Sequence, residues 1–194
     1  MDLCSIIEDE SDDFDEWLTP QRKQLLNAGY WDNYETLLSS KGFSDNVITT
    51  LGLDTEKIIS KCGDPENNKL WDRKGLVIGS VQSGKTANYI GLITKAADLG
   101  YKVIIVIAGR DNNLRQQTQK RINDGFIKPK SLVNDVKTPI SITGKFDFDS
   151  PALGRLEFKL EKDEKPVVAV VKKNTNVLNN LKTYFASSKL YRNG

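Results

Sequence analysis

Residues 79–86 of this 194-residue chain read Gly-Ser-Val-Gln-Ser-Gly-Lys-Thr, the complete pattern G-x-x-x-x-G-K-[ST] of a phosphate-binding loop. The two glycines allow the backbone to turn so that several N–H groups face one phosphate, and the positive end of a following helix adds to the attraction. Lys85, the predicted catalytic residue, would neutralise phosphate oxygens, and the Thr86 hydroxyl would ligate a Mg²⁺ ion shared with them. The stretch therefore predicts an ATP and Mg²⁺ site made of Gly79, Ser80, Val81, Gln82, Ser83, Gly84, Lys85 and Thr86.

The sequence around this loop alternates between strand and helix patterns. A short apolar run over residues 75–78 predicts a strand before the loop, and residues 86–99 predict a helix that stops at Gly100. Further along, the pattern predicts a buried strand over 102–108, a helix over 112–123, a short strand over 140–142, a buried strand over 166–171 and a helix after Asn174. Strands that alternate with helices indicate an α/β fold with a parallel sheet, here an incomplete P-loop NTPase core of RecA-like, helicase-like type.

The region before the loop has a different composition. The first 18 residues contain eight carboxylates and no lysine or arginine, which predicts a solvated and mobile tail. Helical patterns follow, in which Ser44 is the predicted cap of one helix and Asp54 or Thr55 that of another. A polar, turn-rich stretch then ends this region. We therefore expect an acidic tail and a small helical region over residues 1–68, and a partial P-loop NTPase domain over residues 69–194.

Composition and charge place further limits on function. A net charge of +2 does not by itself indicate a nucleic-acid binder. The chain has no histidine, the commonest general base, so hydrolysis would depend on carboxylates, Mg²⁺ or positioned water. No run approaches the roughly 18 apolar residues of a membrane span. Cys4 and Cys62 form no C-x-x-C pair, and the chain opens without a basic leader, so we expect a cytoplasmic protein.

An ordered set of motifs runs through the chain: the loop with its strand (75–86), the next strand and turn (101–109), residues 113–118 with Arg121, and residues 170–174. Together they resemble the so-called Z-one domain of endonucleases from bacterial restriction and phage-defence systems, over about residues 69 to 187. That domain is itself similar to the ATPase core of superfamily-two helicases. The resemblance implies ATP-dependent engagement of DNA, with Lys85 and Thr86 at the nucleotide and the segment after the second strand near the DNA backbone. It also implies other defence-system proteins as partners, and no membrane.

Basic and amide side chains are concentrated after the second strand. Four basic residues lie here among glutamines and a threonine: Arg110, Arg115, Lys120 and Arg121. Such a set can contact nucleic-acid phosphates without reading sequence. The alternative is an amphipathic helix whose charges face water. The four basic residues are therefore predicted DNA contacts, with a solvated helix as the competing interpretation.

One element of a P-loop ATPase is missing from the sequence. No apolar strand ends in Asp or Asp-Glu, the element that holds Mg²⁺ and positions water. We therefore expect that the chain is the N-terminal piece of a longer protein and hydrolyses little ATP by itself. Two other functions stay open, a small-molecule phosphotransferase resembling nucleotide kinases and a non-catalytic nucleotide-binding interaction module. A metal-dependent nuclease would require Asp147 or Asp149 with Glu157 and Lys159, but Glu-x-Lys is a frequent tripeptide.

Overall fold

The computed structural model describes residues 17–26, 29–67, 72–78, 84–129, 133–148 and 165–187. The helices and strands in chain order are α1 (Pro20–Lys23), α2 (Tyr30–Ser40), α3 (Asp45–Ser60), α4 (Lys85–Asp98), β1 (Val103–Ala108), α5 (Asn112–Ile122), β2 (Ile140–Ser141), β3 (Val167–Lys172) and α6 (Thr175–Ser187). A 3₁₀ turn, Gln24–Leu26, continues α1, and a π-helical turn, Asn123–Ile127, continues α5. Of the predicted mobile tail, residues 1–18, the first 16 lie outside the described residues. The prediction is wrong for Trp17 and Leu18, which are buried, and Nε1 of Trp17 donates to the Cys62 carbonyl at 2.8 Å.

The chain forms two compact units. The first, which we call the helical unit, comprises residues 1–101 and 129–136, and the second, the sheet unit, comprises residues 102–128 and 137–194. The division therefore falls after Tyr101, whereas the sequence predicted a boundary at residue 68. The reason is that α4, which follows the predicted loop, packs against α2 and α3 of the preceding helical region.

The helical unit is organised around one face of α4. Side chains from α2, α3 and α4 form one buried apolar cluster: Trp31, Tyr34, Leu37, Leu38, Ile48, Leu51, Ala87 and Ile90. The indole of Trp31 lies directly on Gly91, where a Cβ atom would come within 2.9 Å of Cζ3 of the ring. One turn later, Nζ of Lys95 lies 4.4 Å from the centroid of the Trp31 ring and donates to the Gly52 carbonyl at 2.6 Å. Trp31 is thus held between two successive turns of α4.

The two ends of α4 are also fixed. The helix begins after Gly84 (φ 74°) and ends before Gly100 (φ 96°), and both angles lie in the left-handed region that favours glycine. In the last turn, the Asp98 carboxylate accepts from the N–H groups of Tyr30 at 2.8 Å and Trp31 at 2.9 Å, at the start of α2. Burial raises the pKa of Asp98 to about 7. The C-terminal turn of α4 therefore caps the N-terminus of α2.

The sheet unit contains three parallel strands in the order β1-β3-β2. The central strand β3 is buried, with Val167 opposite Val103 of β1 and Ile140 of β2. Residues from β3, α6 and the segment after β2 form its core: Ile142, Phe148, Val167, Ala169, Val171, Val177, Leu181 and Tyr184. The Asn174 side chain caps α6 by accepting from the N–H of Asn176 at 3.0 Å. This arrangement confirms the predicted strands β1, β2 and β3 and the helices α4, α5 and α6, and it agrees with an α/β class; the P-loop NTPase fold itself stays a prediction.

The run before the predicted loop differs from the prediction. Residues 72–77 form no regular strand, Ile78 contributes only a single bridge, and Leu76, Val77 and Ile78 are all exposed. The apolar run predicted a strand, but a strand needs neighbours that pair with its backbone. The sheet formed by the described residues does not include this run.

Two smaller predictions are also wrong. The region after Ser44 is one helix, α3, and not two, because the Thr55 hydroxyl donates back to the Leu51 carbonyl at 2.7 Å and so is accommodated inside the helix. Strand β1 is not fully buried, since Ile105 and Ile107 are exposed. Both errors arise because local sequence does not show whether a helix continues through a possible cap, or whether both faces of an apolar strand are covered.

The close contact between Trp31 and Gly91 gives a test of the helical unit. We expect Gly91→Ala to destabilise the protein by about 1–2 kcal/mol, because overpacking costs about 1–3 kcal/mol and alanine recovers at most about 1 kcal/mol of helix propensity. Urea unfolding followed by tryptophan fluorescence measures the change. Gly75→Ala is the control, since nothing lies within 4 Å of a Cβ atom at that position. A Gly91→Ala protein at least as stable as the wild type would contradict this packing account.

Candidate functional site

The predicted phosphate loop leads into the N-terminus of α4. Residues 79–83 lie outside the described part of the chain, while Gly84, Lys85 and Thr86 are described. Gly84 precedes the first helical residue with φ 74° and ψ 20° and has no side chain that could cap the helix. The main-chain N–H groups of the first turn of a helix have no acceptor within the helix, and they face outward along its axis. This end of α4 therefore has the arrangement that binds anions.

Charge around this helix end favours an anion as well. Lys85 is exposed and Thr86 is half-buried, and the first turn of α4 contains no acidic side chain. The positive end of the helix dipole and the Lys85 ammonium are therefore not offset within that turn. Residues 84–86 fit the last three positions of the loop motif in both conformation and exposure.

The body of α4 behind this end is held firmly. Ala87 is buried, and its carbonyl accepts from the Tyr34 hydroxyl at 3.4 Å. Burial raises the pKa of Tyr34 well above its usual range, so this hydroxyl stays protonated and able to donate. Ile90, one turn further, is also buried. The helix end is thus positioned by contacts that begin two residues after Lys85.

A Mg²⁺ ion at this end would depend on few protein ligands. Among the described residues, no group of three or more Asp, Glu, His or Cys side chains could hold a metal ion. The Thr86 hydroxyl is the one predicted ligand, and Mg²⁺ commonly completes its coordination with phosphate oxygens and water. The residues present therefore suit an ion that arrives with a nucleotide and not a resident metal centre.

A second candidate region lies at the carboxyl edge of the sheet, where β1 and β3 end together, with Ala108 opposite Lys172. The Lys173 N–H, just after β3, donates to the Gly109 carbonyl, just after β1, at 3.3 Å. The Thr143 hydroxyl, after β2, accepts from the Val170 N–H at 2.8 Å. In open sheets of parallel strands, ligands bind at this edge. Exposed cations gather here on three different segments: Arg110, Lys145 and Lys173.

Arg115 does not have the role that its sequence context predicted. Its side chain is 1% exposed, so it is not available to DNA phosphates. Its Nη2 atom donates to the carbonyls of Gly144 and Lys145 at 3.0 Å each, and its Nη1 atom to that of Val170 at 3.4 Å. Arg115 is therefore a buried link between α5, β3 and the segment after β2. The prediction of a DNA contact is wrong for this residue because it lies on the inward face of α5, with Gln119 and Ile122.

The other three predicted contacts are exposed, but they do not form one cluster. Arg110 precedes α5 at the carboxyl edge, whereas Lys120 and Arg121 lie in the last turn of that helix. The rise of a helix separates these two groups by roughly 12 Å along the axis. Arg110 is thus part of the strand-end region, and Lys120 and Arg121 belong to a different part of the same unit.

Asp147 links the segment after β2 to the end of β3. It is buried and accepts from the N–H groups of Phe148 at 2.8 Å and Lys172 at 3.3 Å, with Nζ of Lys172 at 3.6 Å. A carboxylate with these partners has a structural role, which removes Asp147 from the nuclease interpretation. The other residues of that interpretation, Asp149, Glu157 and Lys159, lie outside the described residues.

Sequence reasoning missed the segment that follows β2. Lys145 and Phe146 are exposed, and Nζ of Lys145 lies 5.8 Å from the centroid of the Phe146 ring. The next residue, Asp147, accepts from the Lys172 N–H at the end of β3. No motif marks them, since Gly-Lys-Phe is an ordinary tripeptide. The short pattern at residues 140–142 was the available indication, because it placed a strand end just before them.

Comparison with known proteins adds nothing to these observations. No protein-family model, curated protein or solved structure matches this chain. Within the described residues, none of the helices has both the length and the apolar character required to cross a membrane.

The contrast between Arg115 and Arg121, two arginines on the same helix, is directly testable. We expect Arg115→Ala to lower stability by more than about 2 kcal/mol, since each buried acceptor left without a partner costs about 1–3 kcal/mol. The melting midpoint measured by circular dichroism should then fall by roughly 4 °C or more. Arg121→Ala should change stability by less than about 0.5 kcal/mol, because the side chain is exposed. Equal melting midpoints for the two variants would contradict the buried, structural role of Arg115.

Proposed function

We propose that this chain is the ATP-binding portion of a DNA-directed, helicase-like ATPase associated with a restriction or phage-defence endonuclease. The observation that carries the proposal is the loop sequence of residues 79–86 leading through a left-handed Gly84 into the exposed N-terminus of α4. The ordered resemblance to the Z-one domain supports the DNA-directed part. A P-loop NTPase core and a cytoplasmic location belong to the same proposal.

In the proposed nucleotide site, the triphosphate and its Mg²⁺ ion are contacted by main-chain N–H groups, Lys85 and Thr86. The main-chain N–H groups of the loop and of the first turn of α4 donate to the β-phosphate, where the helix dipole adds to the attraction. The Lys85 ammonium pairs with β- and γ-phosphate oxygens. The Thr86 hydroxyl holds the Mg²⁺ ion, which, when bound, neutralises phosphate charge. Loop backbone, Lys85 and Thr86 thus bind and orient the triphosphate.

Nucleotide binding with little turnover is the activity that the described residues favour for this chain. Hydrolysis by a P-loop enzyme needs an acidic residue that positions Mg²⁺ and water. At the sheet edge, the buried carboxylate of Asp147 is engaged by the Phe148 and Lys172 N–H groups. A non-catalytic nucleotide-binding module is therefore the second candidate, and the DNA-stimulated rate separates the two.

The DNA-directed part is supported by charge in the sheet unit. Arg110 lies at the carboxyl edge, and Lys120 and Arg121 lie together at the end of α5, all exposed. Lysine and arginine at such positions contact phosphates and release counterions, so affinity should fall as salt rises. Arg115 has no part in these contacts.

The proposed site predicts a specific loss for Lys85→Ala. We expect the affinity for Mg·ATP, measured by titration calorimetry, to fall by about 10-fold or more, because a charge-assisted hydrogen bond contributes about 1.5–3 kcal/mol. Stability and circular dichroism should stay unchanged, since Lys85 is exposed. Lys57→Ala, an exposed lysine on α3, is the matched control and should bind as the wild type does. An unchanged affinity of Lys85→Ala for Mg·ATP would contradict the assignment of the nucleotide site to this loop.

A further inference from the structure

Strand β1 lies at an edge of the sheet, and among the described residues no strand pairs with its outer side. The strand order is β1-β3-β2, so β3 pairs with one side of β1 only. The outer side therefore presents main-chain N–H and C=O groups that the described sheet does not use. An open edge of this kind is a template for pairing with another strand.

One bond to β3 shows which main-chain groups face outward. The Val167 N–H donates to the Lys102 carbonyl at 2.8 Å. The N–H and C=O of one residue point to the same side of a strand, and that side alternates from residue to residue. The groups of Lys102 therefore face β3. Those of Val103, Ile105 and Ile107 face away from it.

The side chains of these three outward residues share one face of the sheet, and two of them are exposed. Ile105 is 41% exposed and Ile107 is 54% exposed. Their partners on β3, Ala169 and Val171, are buried in a cluster with residues of α6. This face of the sheet is thus covered over β3 and open over β1.

Strand β1 has none of the features that usually protect an edge strand from pairing. Its sequence, Val-Ile-Ile-Val-Ile-Ala, contains no charged residue and no proline. Its register with β3 is continuous, so it contains no bulge. The opposite edge strand of the described sheet, β2, is only two residues long. Strand β1 is therefore the edge at which this sheet can be extended.

We propose that two copies of this chain pair through β1, antiparallel and about a twofold axis, so that their sheets join into one. With Ile105 of one copy opposite Ile105 of the other, Val103 lies opposite Ile107. Each outward N–H and C=O of these residues then pairs with the second copy. The exposed isoleucines cover each other across the axis. Because the pairing uses the β1 edge of both copies, it ends with the dimer.

Two exposed cations at the ends of the strand select this register. Lys102 precedes β1, and Arg110 follows it. A register centred on Val106 would set Lys102 of each copy opposite Arg110 of the other, and like charges directly opposite each other are destabilising. In the register centred on Ile105, Lys102 lies opposite the apolar Ala108. Charge thus favours one alignment of the two strands.

A second copy fits this edge better than an unrelated peptide does. Peptides that add to a sheet edge are recognised by pockets for their alternate side chains. Strand β1 offers only aliphatic side chains, which match a strand of the same composition. A contact limited to two six-residue strands is smaller than the roughly 800 Å² per partner of a standard interface. The dimer should therefore be reversible.

Sedimentation equilibrium of the full 194-residue chain over a range of protein concentrations tests the proposal. We expect a monomer–dimer equilibrium for the wild type. Ile107→Lys places a charge on the open face and should raise the dissociation constant of the dimer by about 10-fold or more. Its circular dichroism should not change, because the side chain is exposed. Phe146→Lys, which charges a 72% exposed side chain outside β1, is the control and should dimerise as the wild type does.

Cysteine crosslinking tests the register. In a chain whose Cys4 and Cys62 are replaced by serine, we expect Ile105→Cys to form an intermolecular disulfide on oxidation, because the two Cα atoms would lie about 5.5 Å apart. The matching atoms in Ile107→Cys would lie about 13 Å apart and should not crosslink. Crosslinking of Ile107→Cys in preference to Ile105→Cys would contradict the alignment.

A wild-type chain that stays monomeric at every concentration would overturn the proposal. So would oligomers larger than the dimer, or an Ile107→Lys variant that dimerises as tightly as the wild type. The inference does not depend on the proposed nucleotide site. Lys85→Ala should dimerise as the wild type does, and Ile107→Lys should keep the wild-type affinity for Mg·ATP.

Discussion

The contact of Trp31 with the bare backbone of Gly91 is the constraint on which the helical unit depends. The missing side chain leaves room for the indole against α4, and Nζ of Lys95 lies 4.4 Å from the centroid of the same ring. The buried cluster that forms around Trp31 joins α2, α3 and α4 into one core. Because α4 also caps α2 through Asp98, the helix is fixed at both its middle and its C-terminal turn. Its N-terminus carries the exposed Lys85 and the half-buried Thr86, the last two residues of the proposed phosphate site.

In the sheet unit, the polar side chain of Arg115 joins several elements, as Trp31 does in the helical unit. Arg115 occupies the buried face of α5, where an apolar residue is usual, and donates to three main-chain carbonyls. Removing a buried guanidinium is costly because its acceptors lose their donors, so such a residue tends to specify one arrangement of the chain around it. Here that arrangement fixes the turn that exposes Phe146 and Lys145.

Helices and strands with strong apolar periodicity could be predicted from the sequence. The predictions were wrong where the structure depends on contacts between distant parts of the chain. Helix α4 and strands β1 and β3 follow from apolar patterns, and the glycine that ends α4 follows from its position. The inward face of α5 could not be found in this way, because Arg115 and Gln119 occupy it in place of apolar residues. The run 75–78 looked like a strand, yet pairing depends on neighbours that local sequence does not reveal. The exposure of Phe146 next to the buried Asp147 and Phe148 likewise cannot be found from local sequence.

Hydrogen–deuterium exchange with and without Mg·ATP tests the central claim, that a triphosphate binds at the N-terminus of α4. The N–H groups of residues 84–87 have no acceptor within the helix, so they should exchange quickly in the free protein. The account predicts that saturating Mg·ATP slows exchange over residues 79–87 and leaves residues 90–96, already hydrogen-bonded inside the helix, as they were. Unaltered exchange over residues 79–87, with protection appearing elsewhere or nowhere, would contradict it.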